Sequence, residues 1–226
     1  MILPHTFDEA SHTYHVPGQF VLATSDIISL VGLADYSMIP SGVLEHASWR
    51  GTQLHRAIQF FEEDGEIPQM PDEVLPYFQG YCKFRTEYNF EPIGEMEKQI
   101  VYVHEGTELA VGCTIDLRGT VCGLKTKTPY ILDVKTCAKQ YGKAKAQKVF
   151  CWRMQTQSYI EATAFDEAWF QLCGLEDRPH RAIVQVNKEG GYEFHDFGST
   201  DDSPLWDSCC RLAMAKLANG YQLDRK

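Results

Sequence analysis

The chain has 226 residues, 44% of them hydrophobic and 23% charged, the proportions of an ordinary globular protein with enough length for one substantial core. No apolar run approaches the roughly 20 residues that span a bilayer, and the start, MILPHTFDEA, lacks the basic and then apolar pattern of a secretory signal, so a cytoplasmic protein without membrane contact is expected. A formal net charge of −10 argues against a surface coated for nucleic acid, and eight cysteines without a C-x-x-C are expected to be reduced thiols rather than a disulfide or iron–sulfur framework.

In chain order, SHTYHVPGQFVLATS alternates around Pro17 and Gly18 and predicts a hairpin. A short helix follows, with Thr24 or Ser25 as its cap before DIISLVGL. Leu54, Ile58 and Phe61 recur at helical spacing in SGVLEHASWRGTQLHRAIQFFEEDGE, and another helix is predicted from near Pro71 and Asp72 toward Tyr88. This helical third, about 20–90, is expected to pack on the core. From Pro92 the period changes to that of strands. IGEMEKQIVYVHEG, TELAVGCTIDLRGTVCGL and TPYILDVKT read as three consecutive strands, with turns at Glu105-Gly106 and from Lys125 to Thr128. A helix from about Ala146 to Ala164 follows. Two short strands, RAIVQVN and YEFHDF, then flank Gly190-Gly191, and Ser203-Pro204 opens a last helix ending near Gly220. Together they predict one α/β (α+β-like) domain over residues 1–226, a central mixed sheet flanked by helices.

Two of these strands carry unexpected charge. In PYILDVKTCAK, alternation places Asp133 and Lys135 on one face with Ile131, and Leu132 and Val134 on the other. In LAVGCTIDLRG it groups Ala110, Gly112, Thr114 and Asp116 against Leu109, Val111, Cys113 and Ile115. If the strands are neighbours, Asp116 and Asp133 come within a few ångströms, and carboxylates that close repel unless a proton or a cation intervenes. A hard divalent ion, Mg²⁺ or Mn²⁺, meets that need, because Mg²⁺ takes one or two carboxylates together with water and substrate phosphate. It would neutralise phosphate charge and acidify a bound water, with Lys135 aimed at the same point.

Charge is also distributed unevenly. Between Asp133 and Glu161 no acidic residue occurs, whereas Lys135, Lys139, Lys143, Lys145, Lys148 and Arg153 all do. A basic strip confined to this region would draw a polyanion to it while the acidic remainder discourages binding elsewhere. Tyr141, Phe150 and Trp152 interleave with these lysines and offer stacking on unpaired bases, with core packing the alternative for Phe150 and Trp152.

TID at Thr114 to Asp116, followed by LDVK at Leu132 to Lys135, resembles the core of the PD-(D/E)XK nuclease superfamily. MQTQSYIEA places Gln155 and Tyr159 at Q-x-x-x-Y spacing, and RGTQLHRAI from Arg50 is similar to the G-T-x-x-H segment of the RecB-type branch. That branch includes phage exonucleases and the mitochondrial genome-maintenance exonuclease. The resemblance covers about His12 to Phe197. It implies a restriction-endonuclease-like core and a Mg²⁺- or Mn²⁺-dependent deoxyribonuclease that hydrolyses phosphodiester bonds from DNA ends, in phage-type recombination or DNA repair. It further implies Asp116, Asp133 and the Val134 carbonyl as metal ligands, His55 as a ligand or an orienter of the metal's water, and Lys135 as the catalytic lysine. Gln155 and Tyr159 would contact the substrate phosphate or position Lys135. Glu97, in EMEKQIVY, falls where the branch has a glutamate on its first core strand, with an implied place behind the ligands.

Arg50, Lys139, Lys143, Lys145, Lys148 and Arg153 are the candidate contacts to DNA, whether a single strand or a duplex end, and a single-strand annealing or recombinase protein is the candidate partner. The sequence departs from the pattern twice: Ile115 stands where the superfamily name has proline, and Gly112 precedes Asp116 by four residues rather than three, with Cys113 in the expected place. A structure-specific or nicking endonuclease on the same fold, or an inactive nucleic-acid-binding module, are the alternative readings.

Overall fold

The strand that carries Asp133 and Lys135 lies between two layers of helices, and the rest of the fold is arranged around it. The computed structural model describes residues 1–9, 11–122, 127–137, 142–174 and 178–223, with the backbone alone at 142–144. Its elements are β1 (Thr6–Asp8), β2 (Thr13–His15), β3 (Val21–Ala23), α1 (Thr24–Leu30), α2 (Ser41–Asp64), α3 (Leu75–Glu87), β4 (Phe90–Pro92), β5 (Lys98–His104), β6 (Leu109–Ile115), β7 (Leu117–Cys122), β8 (Lys127–Thr136), α4 (Gly142–Thr163), α5 (Glu167–Cys173), β9 (His180–Val186), β10 (Tyr192–Gly198) and α6 (Ser203–Ala218). This is an α/β fold with mixed sheets. One sheet has the order β10-β9-β8-β7-β4, a second has β3-β6-β5, and β1 pairs with β2. Within the larger sheet β8 and β9 are parallel, with α4 and α5 in the crossover between them, while the β7–β8 and β9–β10 pairs are antiparallel.

Alternation along β8 divides the apolar interior in two. Ile131 packs with Met154, Tyr159 and Ile160 of α4 and with Trp206 and Cys210 of α6. Tyr130, Leu132 and Val134 face the other way, into a cluster with Leu54 and Ile58 of α2 and with Phe78, Tyr81 and Phe84 of α3. Asp133 and Lys135 therefore share the α4 side, as the period of two requires.

Several elements differ from the sequence expectation. The segment around Pro17-Gly18 makes only a tight turn, with Val16 bridged to Gln19. β2 pairs instead with β1, and β3 runs parallel to β6, where Val21 and Leu22 are buried. Thr24 is not a cap: its hydroxyl lies in the core, 2.7 Å from that of Ser158, and Asp26 accepts from the Ala23 N–H at 3.1 Å. The stretch read as one strand from Leu109 to Cys122 breaks at Asp116, and its halves join different sheets. β4 and α5, short elements that carry little periodicity, were not predicted. Among the described residues no helix is long and apolar enough to cross a membrane.

Candidate metal centre

The break at Asp116 builds the site. β7 pairs with β8 so that Leu117 faces Leu132, and one step beyond that pair Asp116 stands opposite Asp133. Freed from the ladder, the Asp116 carboxylate accepts the Val134 N–H at 2.8 Å. α2 crosses the same end of β8 and brings in His55. Its Nε2 lies 3.0 Å from the Val134 carbonyl oxygen and 3.5 Å from Asp116 Oδ2, and its Nδ1 lies 3.1 Å from Glu97 Oε1. One ligand atom each from His55, Glu97 and Asp116 lies within 4.8 Å of the others.

Asp133 adjoins this cluster on the Lys135 side. It is fully buried, and its Oδ1 accepts from Lys135 Nζ at 2.9 Å, Gln155 Nε2 at 3.1 Å and Tyr159 Oη at 3.2 Å. Gln155 also donates to the Tyr159 hydroxyl at 2.7 Å, so the Q-x-x-x-Y pair acts as one unit on α4. The same ammonium lies 2.8 Å from Oδ2, so Lys135 spans both oxygens of the carboxylate.

The electrostatics follow from this crowding. Burial first, and then the Asp116 charge, push the Asp133 carboxyl up to about 6, against the pull of Lys135. Burial also raises Asp116, with His55 opposing and Glu97 adding to the rise. For His55, burial works against the charged ring, but Asp116 and Glu97 outweigh it and push the ring up to about 10. Three carboxylates thus meet around an imidazolium and an ammonium, where a cation is the natural counter-charge. The donor set fits a divalent ion: carboxylate oxygens of Glu97 and Asp116, a backbone carbonyl and an imidazole nitrogen.

The structure brings His55, Asp116 and the Val134 carbonyl together as the sequence suggested, and sets the Asp133 carboxylate beside them in the grip of Lys135, Gln155 and Tyr159. Glu97 stands among the candidate ligands rather than behind them. It precedes β5 with a φ of +48°, so strand alternation does not govern its direction, and its N–H is tied to the Asp116 carbonyl at 3.0 Å. A non-glycine residue held in the left-handed region costs of order 1 kcal/mol and commonly marks a functional position. Tyr14 went unnoticed in the sequence. Its hydroxyl meets Thr114 Oγ1 at 2.6 Å, and its ring lies against Gly112, where a Cβ would fall 2.4 Å from Tyr14 Cδ2. The displaced glycine is therefore demanded by the ring beneath it.

The basic residues fare unevenly. Arg153 is corrected out of the DNA-facing strip, because its Nε and Nη2 donate to buried Asp202 at 3.0 and 2.5 Å. Arg50 pairs with Glu73 at 3.4 Å and lies over the Tyr77 ring, and Lys145 pairs with Glu193 at 3.2 Å. Lys148 sits over the Trp152 ring at 5.5 Å. Trp152 is buried and Phe150 packs against the core. Lys139, Tyr141 and the Lys143 side chain lie outside the described residues.

No family model and no curated protein matches the chain. Among solved structures, one described as "Crystal structure of SSO0001" is similar over 93% of this chain and 81% of that chain, at 13% sequence identity and a TM-score of 0.40. A likeness this distant carries no argument about activity.

Proposed function

We propose that this protein is a metal-dependent DNA exonuclease with a restriction-endonuclease-like core, which hydrolyses phosphodiester bonds from DNA ends. The observation that carries this reading is the meeting of Asp116 and Asp133 at one strand end, beside His55, Glu97 and Lys135, with burial driving up both carboxyls. The order of the T-I-D, L-D-V-K and Q-x-x-x-Y segments supports it.

Bound there by His55, Glu97, Asp116 and the Val134 carbonyl, with Asp133 adjoining, Mg²⁺ or Mn²⁺ would neutralise phosphate charge and make a water more acidic. The chain supplies the rest. Burial opposes the Lys135 charge, yet Asp133 and Asp116 hold it firmly as an ammonium. As an ammonium it would balance charge developing on the phosphate. Gln155 and Tyr159 lock the Asp133 rotamer from the core side and so aim Lys135. Tyr159 is buried, which makes it a positioning residue.

Digestion of end-labelled linear DNA beside covalently closed circular DNA, in Mg²⁺, Mn²⁺ or EDTA, with wild type and Lys135→Ala, tests the proposal. Release of label from linear DNA alone, dependent on metal and on Lys135, is expected. Cutting of the circle would make the protein an endonuclease, and binding without cleavage in either metal would make it an inactive module.

A further inference from the structure

Beyond the carboxylates, one part of the molecule joins exposed apolar surface to a cation that has no acidic partner among the described residues. On β8, Asp133, Lys135 and the residue that follows at the same period, Cys137, point along one face. On α4, Gln155, Cys151 and Lys148 follow at spacings of four and three residues and form one helical face. Gln155 touches Asp133, and strand and helix run in opposite directions, so Cys137 and Lys148 meet at the outer end of the two rows. Burial pushes the Cys137 thiol up, and the neighbouring Lys148 ammonium opposes that rise. Lys148 lies about 10 Å along α4 from Gln155. Among the described residues it pairs with no carboxylate, whereas Lys145, one turn further out, is held by Glu193.

The segment between α1 and α2 walls the rows on one side. Leu33 and Ala34 pack against the core with Phe150 and Cys151, and Gln147 donates to the Leu33 carbonyl at 3.4 Å. Beyond that anchor the chain turns outward. Tyr36 is 56% exposed, Met38 91% and Ile39 37%. The rim is built from turns, with the Ser37 N–H on the Asp35 carboxylate at 2.9 Å and the Ile39 N–H on the Tyr36 carbonyl at 2.9 Å. Burial raises the Tyr36 phenol, with Cys151 adding to the rise and Lys135 opposing it, so the side chain is within electrostatic reach of both rows.

We propose that Tyr36 and Lys148 form a subsite for an unpaired DNA strand, the Tyr36 ring stacking on a base and Lys148 holding a phosphate next to the one at Lys135; the assignment rests on the nuclease reading of the site. Within a duplex the faces of the bases are covered by their neighbours, so an exposed ring on a rim finds a stacking partner on a single strand. The continuity of the Asp133–Lys135–Cys137 and Gln155–Cys151–Lys148 rows leads the strand from that rim to the carboxylates. The acidic remainder of the chain keeps a polyanion from competing positions.

Fluorescence anisotropy with a short labelled single strand and with a blunt duplex of the same sequence, both in EDTA, tests this alongside cleavage of both DNAs in Mg²⁺ and Mn²⁺. Wild type is expected to bind the single strand more tightly. Tyr36→Ala should weaken that binding about ten-fold with little change for the duplex, and Tyr36→Phe should restore it. Lys148→Ala should lower the log–log salt slope for the single strand by about 0.7. A preference for the duplex, equal losses on both DNAs in Tyr36→Ala, or failure of Tyr36→Phe to restore binding would overturn the subsite. Cleavage by wild type with no effect of Tyr36→Ala on the binding ratio would overturn the subsite alone. Absence of cleavage in either metal would instead overturn the nuclease reading on which it stands.

Discussion

Two buried carboxylates, Asp202 and Asp133, sit on opposite flanks of α4 in similar isolation from water and are treated differently. Both oxygens of Asp202 are met by guanidinium groups: Arg153 donates through Nε and Nη2, and Arg181 donates through Nη2. Arg181 is itself buried, and it also donates to the Arg153 carbonyl at 2.5 Å, Thr156 Oγ1 at 3.1 Å and the Thr200 carbonyl at 3.2 Å. This cluster joins α4, β9 and the start of α6 and leaves Asp202 no valence for a ligand. Asp133, by contrast, meets one ammonium, 2.9 Å from Oδ1 and 2.8 Å from Oδ2, with neutral donors from Gln155 and Tyr159, and a second carboxylate, Asp116, acts on it. An acid closed by two arginines staples elements together, whereas acids that outnumber the cations around them favour a further cation.

Substitutions should separate the two roles. The largest effect is expected at Lys135: Lys135→Ala should slow cleavage at saturating Mg²⁺ by about 10³-fold, near 4 kcal/mol in barrier, and should also lower the melting temperature because buried Asp133 loses its ammonium, as initial rates and a thermal scan would show. Asp202→Ala should act on stability and spare the site. It strands Arg181 as a buried unpaired charge and should cost about 3 kcal/mol or more of stability by urea denaturation, while whatever protein remains folded keeps its metal affinity. Mn²⁺ at a hundredfold excess over its Kd should raise the unfolding free energy of wild type by about 2.7 kcal/mol, and the increment should fall by about half or more in Asp116→Asn.

His104, a buried ring between two partly exposed acids, offers a third arrangement and the smallest predicted effect. Its Nδ1 lies 2.9 Å from Glu161 and its Nε2 3.2 Å from Asp207. Burial opposes its charge, but the hydrogen bonds and charges of those two carboxylates outweigh it and raise the ring above its ordinary value. A group whose folded value is raised contributes its stability fully below its unfolded value, near 6.5, and loses it as pH climbs through the folded value. Melting temperature should therefore drift downward from pH 6 into the alkaline range, by an increment that disappears in His104→Gln. An equal drift in the variant would show that this pair of carboxylates is closed by something other than the imidazolium.

Much of this contrast could be read in the sequence on one side only. The alternation in PYILDVKT gave the face shared by Ile131, Asp133 and Lys135, and the helical spacing in MQTQSYIEA gave the joint action of Gln155 and Tyr159, because a period fixes which side chains share a face. It does not fix partners. Arg153 read as one more cation in a basic strip, since Asp202 lies 49 residues away and nothing local announces it. Glu97 read as lying behind the ligands because its direction is set by a left-handed backbone rather than by a strand. The break at Asp116 was invisible in an apolar run that continues across it, and it shows only when β6 and β7 part into separate sheets. Gly112 was a departure from a pattern until Tyr14, from a strand pairing the sequence did not suggest, arrived beneath it.

The central claim is that His55, Glu97 and Asp116 gather to hold a divalent cation. Titration of Mn²⁺ followed by electron paramagnetic resonance, on wild type, Glu97→Gln, Asp116→Asn and Asp202→Asn, tests it most directly. Saturable binding is expected that Mg²⁺ displaces, that falls at least about ten-fold in the first two variants, and that persists in the folded fraction of the third. Binding untouched by Asp116→Asn, or no saturable binding in wild type, would contradict it.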